Sequence, residues 1–155
     1  MYSVPQFARM KPDAAPRKTV RVLLADDNRQ MLDMTMQQLA GHYEVVGTVE
    51  NGRELVESAI EHEPDLGVVD ISMPEMCGID AVREIRARGS NMKVVFLTAN
   101  EDPDYVEAAF NVGALGYVVK KHMASDLIQA LDLAAKGLRF LSKCCQMPAA
   151  AKGQS

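Results

Sequence analysis

Between residues 19 and 142, five short apolar runs are each followed by a longer stretch with helical spacing. No other feature limits the fold so tightly. Strands that alternate with helices do not pair as hairpins. They line up parallel and need helices on both faces of the sheet. The first run, Val20 to Ala25, ends in Asp26-Asp27-Asn28. Asn28 to Ala40 then places Met31, Leu32, Met36 and Leu39 at helical spacing, with Gly41 as the stop. Tyr43 to Val49 predicts a second strand, broken by Asn51-Gly52. Leu55, Val56, Ala59 and Ile60 repeat as a helix up to Pro64. Leu66 to Ile71 is a third run, interrupted by Asp70, and beyond the Pro74–Gly78 loop Ile79, Val82 and Ile85 predict a third helix. Lys93 to Leu97 ends at Thr98, and Asp102-Pro103 reads as the start of a helix carrying Val106, Ala109 and Phe110. Tyr117 to Val119 ends at Lys120. Leu127, Ile128, Leu131, Ala134 and Ala135 form a last helix that closes near Gly137. Five such units in ~120 residues, joined by right-handed crossovers, predict a flavodoxin-like, doubly wound α/β fold with a five-stranded parallel sheet.

The chain's 155 residues suit one domain. Residues 1–18, with Pro5, Pro12 and Pro16, read as a flexible leader, 19–142 as the folded domain and 143–155 as a C-terminal tail. A formal charge of −4 and a pI near 5.4 argue against a coat for nucleic acid or an anionic membrane. The apolar runs fall far short of the ~20 residues that cross a bilayer. The first residues have no apolar signal core, so the expected location is cytoplasmic. Cys77, Cys144 and Cys145 read as reduced thiols, since no signal peptide accompanies them and no Cys/His spacing suggests zinc. Met31, Met34 and Met36 read as core filling.

Chemically useful residues stand where the predicted strands end: Asp26 and Asp27, Asp70, Thr98 and Lys120. Parallel sheets bind ligands beyond the carboxyl ends of their strands, so the fold would gather these residues on one rim. Three carboxylates so placed repel one another unless a proton or a cation intervenes. An all-oxygen set favours Mg²⁺, Mn²⁺ or Ca²⁺ over zinc, and Mg²⁺, which takes only one or two carboxylates, leaves room for a phosphate oxygen. Lys120 offers a positive charge to a phosphate oxygen and Thr98 a hydroxyl to another. Asp70, alone at its strand end, is the candidate nucleophile for an acyl phosphate. The sequence has no GxxxxGK[ST] loop for a nucleotide, so the donor would be a phosphorylated group on another molecule.

Asp26-Asp27, Asp70 within Val-Val-Asp-Ile-Ser-Met-Pro, Gly78, Thr98-Ala99 and Tyr117-Val-Val-Lys120 together resemble a bacterial response-regulator receiver domain of two-component signalling, over about residues 19 to 142. The resemblance implies that Asp70 accepts phosphate from a sensor histidine kinase or a phosphotransfer protein. It implies that Asp26 and Asp27 hold Mg²⁺ with Asp70 and the backbone carbonyl of Ser72. Lys120 would pair with the phosphoryl group, Thr98 would move towards it, and Tyr117 would be the aromatic switch that turns inward when Thr98 moves. Pro74 and Gly78 match the loop that shapes the site. Output would leave through the face of the fourth helix, fifth strand and fifth helix, towards an unknown downstream protein or a second copy of the chain.

One departure is Lys121, which stands where most members have proline. Gly-Tyr-Val-Val-Lys followed by a non-proline resembles receivers usually fused to LuxR-type helix-turn-helix outputs. The residues after Ser142 are too few for a DNA-binding domain. Such a chain is a signalling switch and not an enzyme. The alternatives are a protein-interaction module that works without phosphorylation, and a small Mg²⁺-dependent phosphohydrolase. Against the latter, Ile71-Ser72 supplies no second acid two residues beyond Asp70.

Overall fold

A computed structural model describes residues 19–145. The elements alternate along the chain: β1 (Arg21–Ala25), α1 (Arg29–Leu39), β2 (Glu44–Val49), α2 (Gly52–His62), β3 (Leu66–Val69), α3 (Gly78–Ala87), β4 (Lys93–Thr98), α4 (Pro103–Asn111), β5 (Gly116–Val119), a 3-10 turn (Lys120–His122), α5 (Met123–Ala135) and β6 (Phe140–Leu141). The sheet order is β2-β1-β3-β4-β5-β6, and every pairing is parallel. The first five strands follow the flavodoxin-like order. The sixth adds Phe140 and Leu141 beside Gly116 and Tyr117. The leader assigned to residues 1–18, and the tail beyond residue 145, lie outside the described residues.

Residues alternate along each strand and split the core in two. Leu23, Val69, Phe96 and Tyr117 face α2, α3 and α4, where Leu55, Val82, Ile85 and Val106 meet them. Val22, Leu24, Val68, Val95 and Val118 face α1 and α5, against Leu32, Leu39, Leu127 and Leu131. Apolar side chains on both faces of these strands explain why they read as continuous runs. Met31 and Met36 sit partly buried against the second of these cores, whereas Met34 is 50% exposed and fills none of it.

The helix starts follow the side-chain chemistry seen in the sequence. Asn28, Asn51 and Asp102 each accept a backbone N–H from the first turn of α1, α2 and α4, and Pro103 takes the position where its missing N–H costs nothing. Cys145, which the sequence grouped with the tail, is 7% exposed and packs in the same core as Tyr117. No cis peptide bond occurs among the described residues, and the chain leaves Lys120 through the 3-10 turn.

Candidate functional site at the carboxyl rim

The strand order reverses between β1 and β3, and the site forms just beyond their ends. Asp26 follows β1, with its N–H on the Val49 carbonyl, and Asp70 follows β3, with its N–H on the Ala25 carbonyl. Both acids are buried, at 4% and 5% exposure, whereas Asp27 is exposed. Carboxylate oxygens of Asp26, Asp27 and Asp70 lie within 4.8 Å of one another. Lys120 enters from the end of β5, and its Nζ donates to Asp26 Oδ2 at 2.8 Å and to Asp70 Oδ2 at 3.1 Å. The sequence pointed to Lys120 as a partner for phosphate. Its bridging of the two buried acids is added by the fold. The other Asp26 oxygen accepts the Asn28 N–H at 2.8 Å, and Asp70 Oδ1 accepts the Ser72 N–H at 3.4 Å.

Burial raises the Asp70 pKa above its ordinary value, and the neighbouring Asp26 charge adds to this. The Lys120 charge and hydrogen bond oppose it without cancelling it. Burial acts on Lys120 in the lowering direction, but its hydrogen bonds and charge contacts with Asp26 and Asp70 outweigh this and raise its pKa. Three carboxyl groups thus converge on one lysine. An oxygen-only donor set of two buried acids and one exposed acid fits a hard divalent cation that keeps part of its shell open.

The loop beneath Asp70 is tightly held. The Gly78 N–H donates to the Ile71 carbonyl at 2.7 Å, and the Gly52 N–H to the Pro74 carbonyl at 3.3 Å. A Cβ on Gly78 would lie 2.2 Å from the Asp70 carbonyl oxygen, so only glycine permits this approach. Between these pins Glu75 takes φ +70°, and the Met76 N–H returns to the Pro74 carbonyl at 2.8 Å.

Thr98 ends β4 beside Val119 and is 2% exposed. Its Oγ1 accepts the Asn100 N–H at 3.3 Å. Tyr117 is fully buried and faces inward, with its hydroxyl donating to the Asn100 carbonyl at 2.7 Å. Burial raises the Tyr117 pKa, which keeps the phenol a donor. Asn100 thus links Thr98 to Tyr117 through its main chain, a role no side-chain pattern advertises. Lys121 is turned away from the acids and pairs with Glu101 at 2.8 Å. A cavity of about 550 Å³, lined by Glu63, Asp65, Arg88 and Lys93 among others, opens at the opposite end of the sheet. The converging acids and lysine are at the carboxyl rim.

The fold and this rim define a doubly wound α/β domain with an acid-and-lysine site at its switch point. The profile described as "Response regulator receiver domain" matches residues 22–132, and the chain belongs to that family. It is 41% identical over 130 residues to the transcriptional regulatory protein PdtaR of Mycobacterium tuberculosis (strain ATCC 25618 / H37Rv), covering 83% of this chain and 62% of that protein. It is 38% identical over 117 residues to the chemotaxis protein CheY of Thermotoga maritima, covering 75% of this chain and 98% of that protein. The chain thus spans about three-fifths of the length of PdtaR and nearly all of that CheY. Among solved structures, a LuxR-family two-component response regulator from Aurantimonas sp. SI85-9A1 superposes with a TM-score of 0.81 at 26% identity, over 89% of this chain and all of that one. The receiver domain of the putative response regulator NarL from Mycobacterium tuberculosis gives 0.74 at 28% identity, over 78% of this chain and 99% of that one.

Proposed function

We propose that this receiver is a phosphorylation-controlled switch in which Asp70 is the phosphoacceptor. The observation that carries the reading is the buried Asp70 carboxylate, held 3.1 Å from Lys120 Nζ inside a cluster of three acids. An Asp70 oxygen attacks the phosphorus of a phosphohistidine on a sensor kinase or phosphotransfer protein. The new O–P bond forms as the donor's N–P bond breaks, and the donor imidazole leaves with its electron pair. The chain contributes position and charge, which is most of what phosphoryl transfer asks of a protein.

Asp26, Asp27 and Asp70, with the Ser72 carbonyl, would hold Mg²⁺, and Mn²⁺ would replace it. When bound, the cation supplies positive charge against the phosphoryl oxygens. Lys120 follows the added charge by turning from a carboxylate to a phosphoryl oxygen. Thr98 exchanges its bond to Asn100 for one to the phosphoryl group. Because Asn100 also holds the Tyr117 hydroxyl, the exchange reaches the α4–β5–α5 side, where a downstream partner would read it. The site is cytoplasmic in this reading, and the protein signals without turning over a substrate.

Incubation with acetyl phosphate and Mg²⁺ should add the mass of one phosphoryl group to the intact chain, and Asp70→Asn should abolish the gain. A variant that labels as well as the parent would remove Asp70 from the role. Sustained hydrolysis of phosphomonoesters would favour the phosphohydrolase instead.

A further inference from the structure

The segment Arg139–Cys145 lies along the outer edge of β5 and touches all three elements of the α4–β5–α5 side. Its backbone extends the sheet: the Phe140 N–H donates to the Leu115 carbonyl at 2.8 Å, and the Ser142 N–H to the Tyr117 carbonyl at 3.0 Å. The Arg139 guanidinium lies 5.2 Å over the Phe110 ring of α4. The Ser142 hydroxyl donates to Asp126 Oδ2 of α5 at 2.8 Å and accepts the Val119 N–H at 3.2 Å. Ser142 is fully buried, and Cys145 and Leu141 share the core of Tyr117.

These contacts sit on the path to the site. Val119, held by Ser142, is the residue before Lys120. Tyr117, whose carbonyl takes the Ser142 N–H, reaches Thr98 through Asn100. Lifting the segment would free the backbone that delivers Lys120 and uncover one flank of Tyr117. A short edge strand of two residues gains little from its own ladder, so its seating depends on what it covers.

We propose that Arg139–Cys145 is a positioning strap for the phosphoryl site, with Ser142 as its main anchor. Seating the strap and holding a phosphoryl group on Asp70 favour each other, by the same factor in both directions. The inference rests on Asp70 being the phosphoacceptor. It also means that a partner approaching the α4–β5–α5 side meets the strap and not a bare β5 edge.

The test uses the full chain and beryllium trifluoride with Mg²⁺ as the phosphoryl mimic, followed by tyrosine fluorescence. Ser142→Ala should weaken binding of the mimic about five- to tenfold, the lower part of the usual coupling range. Mg²⁺ affinity measured alone should be unchanged, which a general loosening of the fold would not allow. Ser142→Thr, which keeps the hydroxyl, should recover much of the loss. Should Ser142→Ala fail to fold, Arg139→Gln, altered only at an exposed contact, decides in its place by the same readout. In a chain with Cys77→Ser and Cys144→Ser, the mimic should slow alkylation of Cys145 by N-ethylmaleimide. Unchanged affinity for the mimic, or a Cys145 rate indifferent to it, overturns the strap. A parent chain that binds Mg²⁺ but never the mimic overturns the phosphoacceptor reading, and the strap with it.

Discussion

Asp70 is kept at a strand end by surroundings that favour its neutral form. Burial raises its pKa, Asp26 adds to the rise, and Lys120 only partly reverses it. A raised value in the folded state means that the native chain holds the proton more tightly than the unfolded chain. The associated stability is complete below the unfolded pKa and is lost as pH rises through the folded one. Above the unfolded value, without metal, Asp70 therefore weakens the fold. Asp70→Asn should raise the melting temperature by a few degrees at pH 7 in a chelator, and the gain should vanish as the buffer is taken towards pH 4. A melting temperature below the parent's at pH 7 would contradict this. Lys120→Met has the opposite sign. It leaves Asp26 and Asp70 facing each other without their shared cation, and should cost roughly 2–4 kcal/mol at neutral pH, a little under the figure for a fully buried pair. Urea titration should show that cost shrinking in acid.

The loop between β3 and α3 depends on two glycines. Gly78→Ala would force a Cβ to 2.2 Å from the Asp70 carbonyl, so either α3 or the Asp70 backbone must yield. The expected cost is about 1–3 kcal/mol, with slower labelling by acetyl phosphate, read from chemical denaturation and intact mass. How much of an element the sequence displayed depended on how its information is carried. The helix starts at Asn28, Asn51 and Asp102 were readable because a side chain makes the cap. The strands β1, β3, β4 and β5 were readable because both faces are dry, and the half-exposed edge strand β2 because Val45, Val46 and Val49 are β-branched. The rim residues Asp26, Asp70, Thr98 and Lys120 were readable because a polar residue ending an apolar run stands out. β6 was not, since two residues hold no period. Nor was Asn100, which works through its main chain, or Ser142, a buried hydroxyl whose partners Val119 and Asp126 lie 23 and 16 residues away. The left-handed turn at Glu75 was hidden as well, because glutamate is not the residue that announces such a conformation.

At the scale of the molecule, a cation that binds only the folded chain must stabilise all of it. Mg²⁺ at a hundred times its dissociation constant should add about 2.7 kcal/mol, visible as a rise in melting temperature that chelation reverses. Asp27→Asn should shrink that rise while scarcely changing the melting temperature without metal, because the side chain is exposed. A full Mg²⁺ response in that variant would place the cation elsewhere.

The strand order also bears on how the protein is made. β1 lies between β2 and β3, and Val22 meets Leu66 across the β1–β3 seam. On the ribosome β1 is finished early, but one of its edges stays open until Leu66 has been added. At ~5–20 residues per second that wait lasts seconds, with Val22 to Ala25 presenting an unpaired apolar ribbon. This nascent stage, before the third strand is complete, is where holdase chaperones and self-association compete most directly with folding.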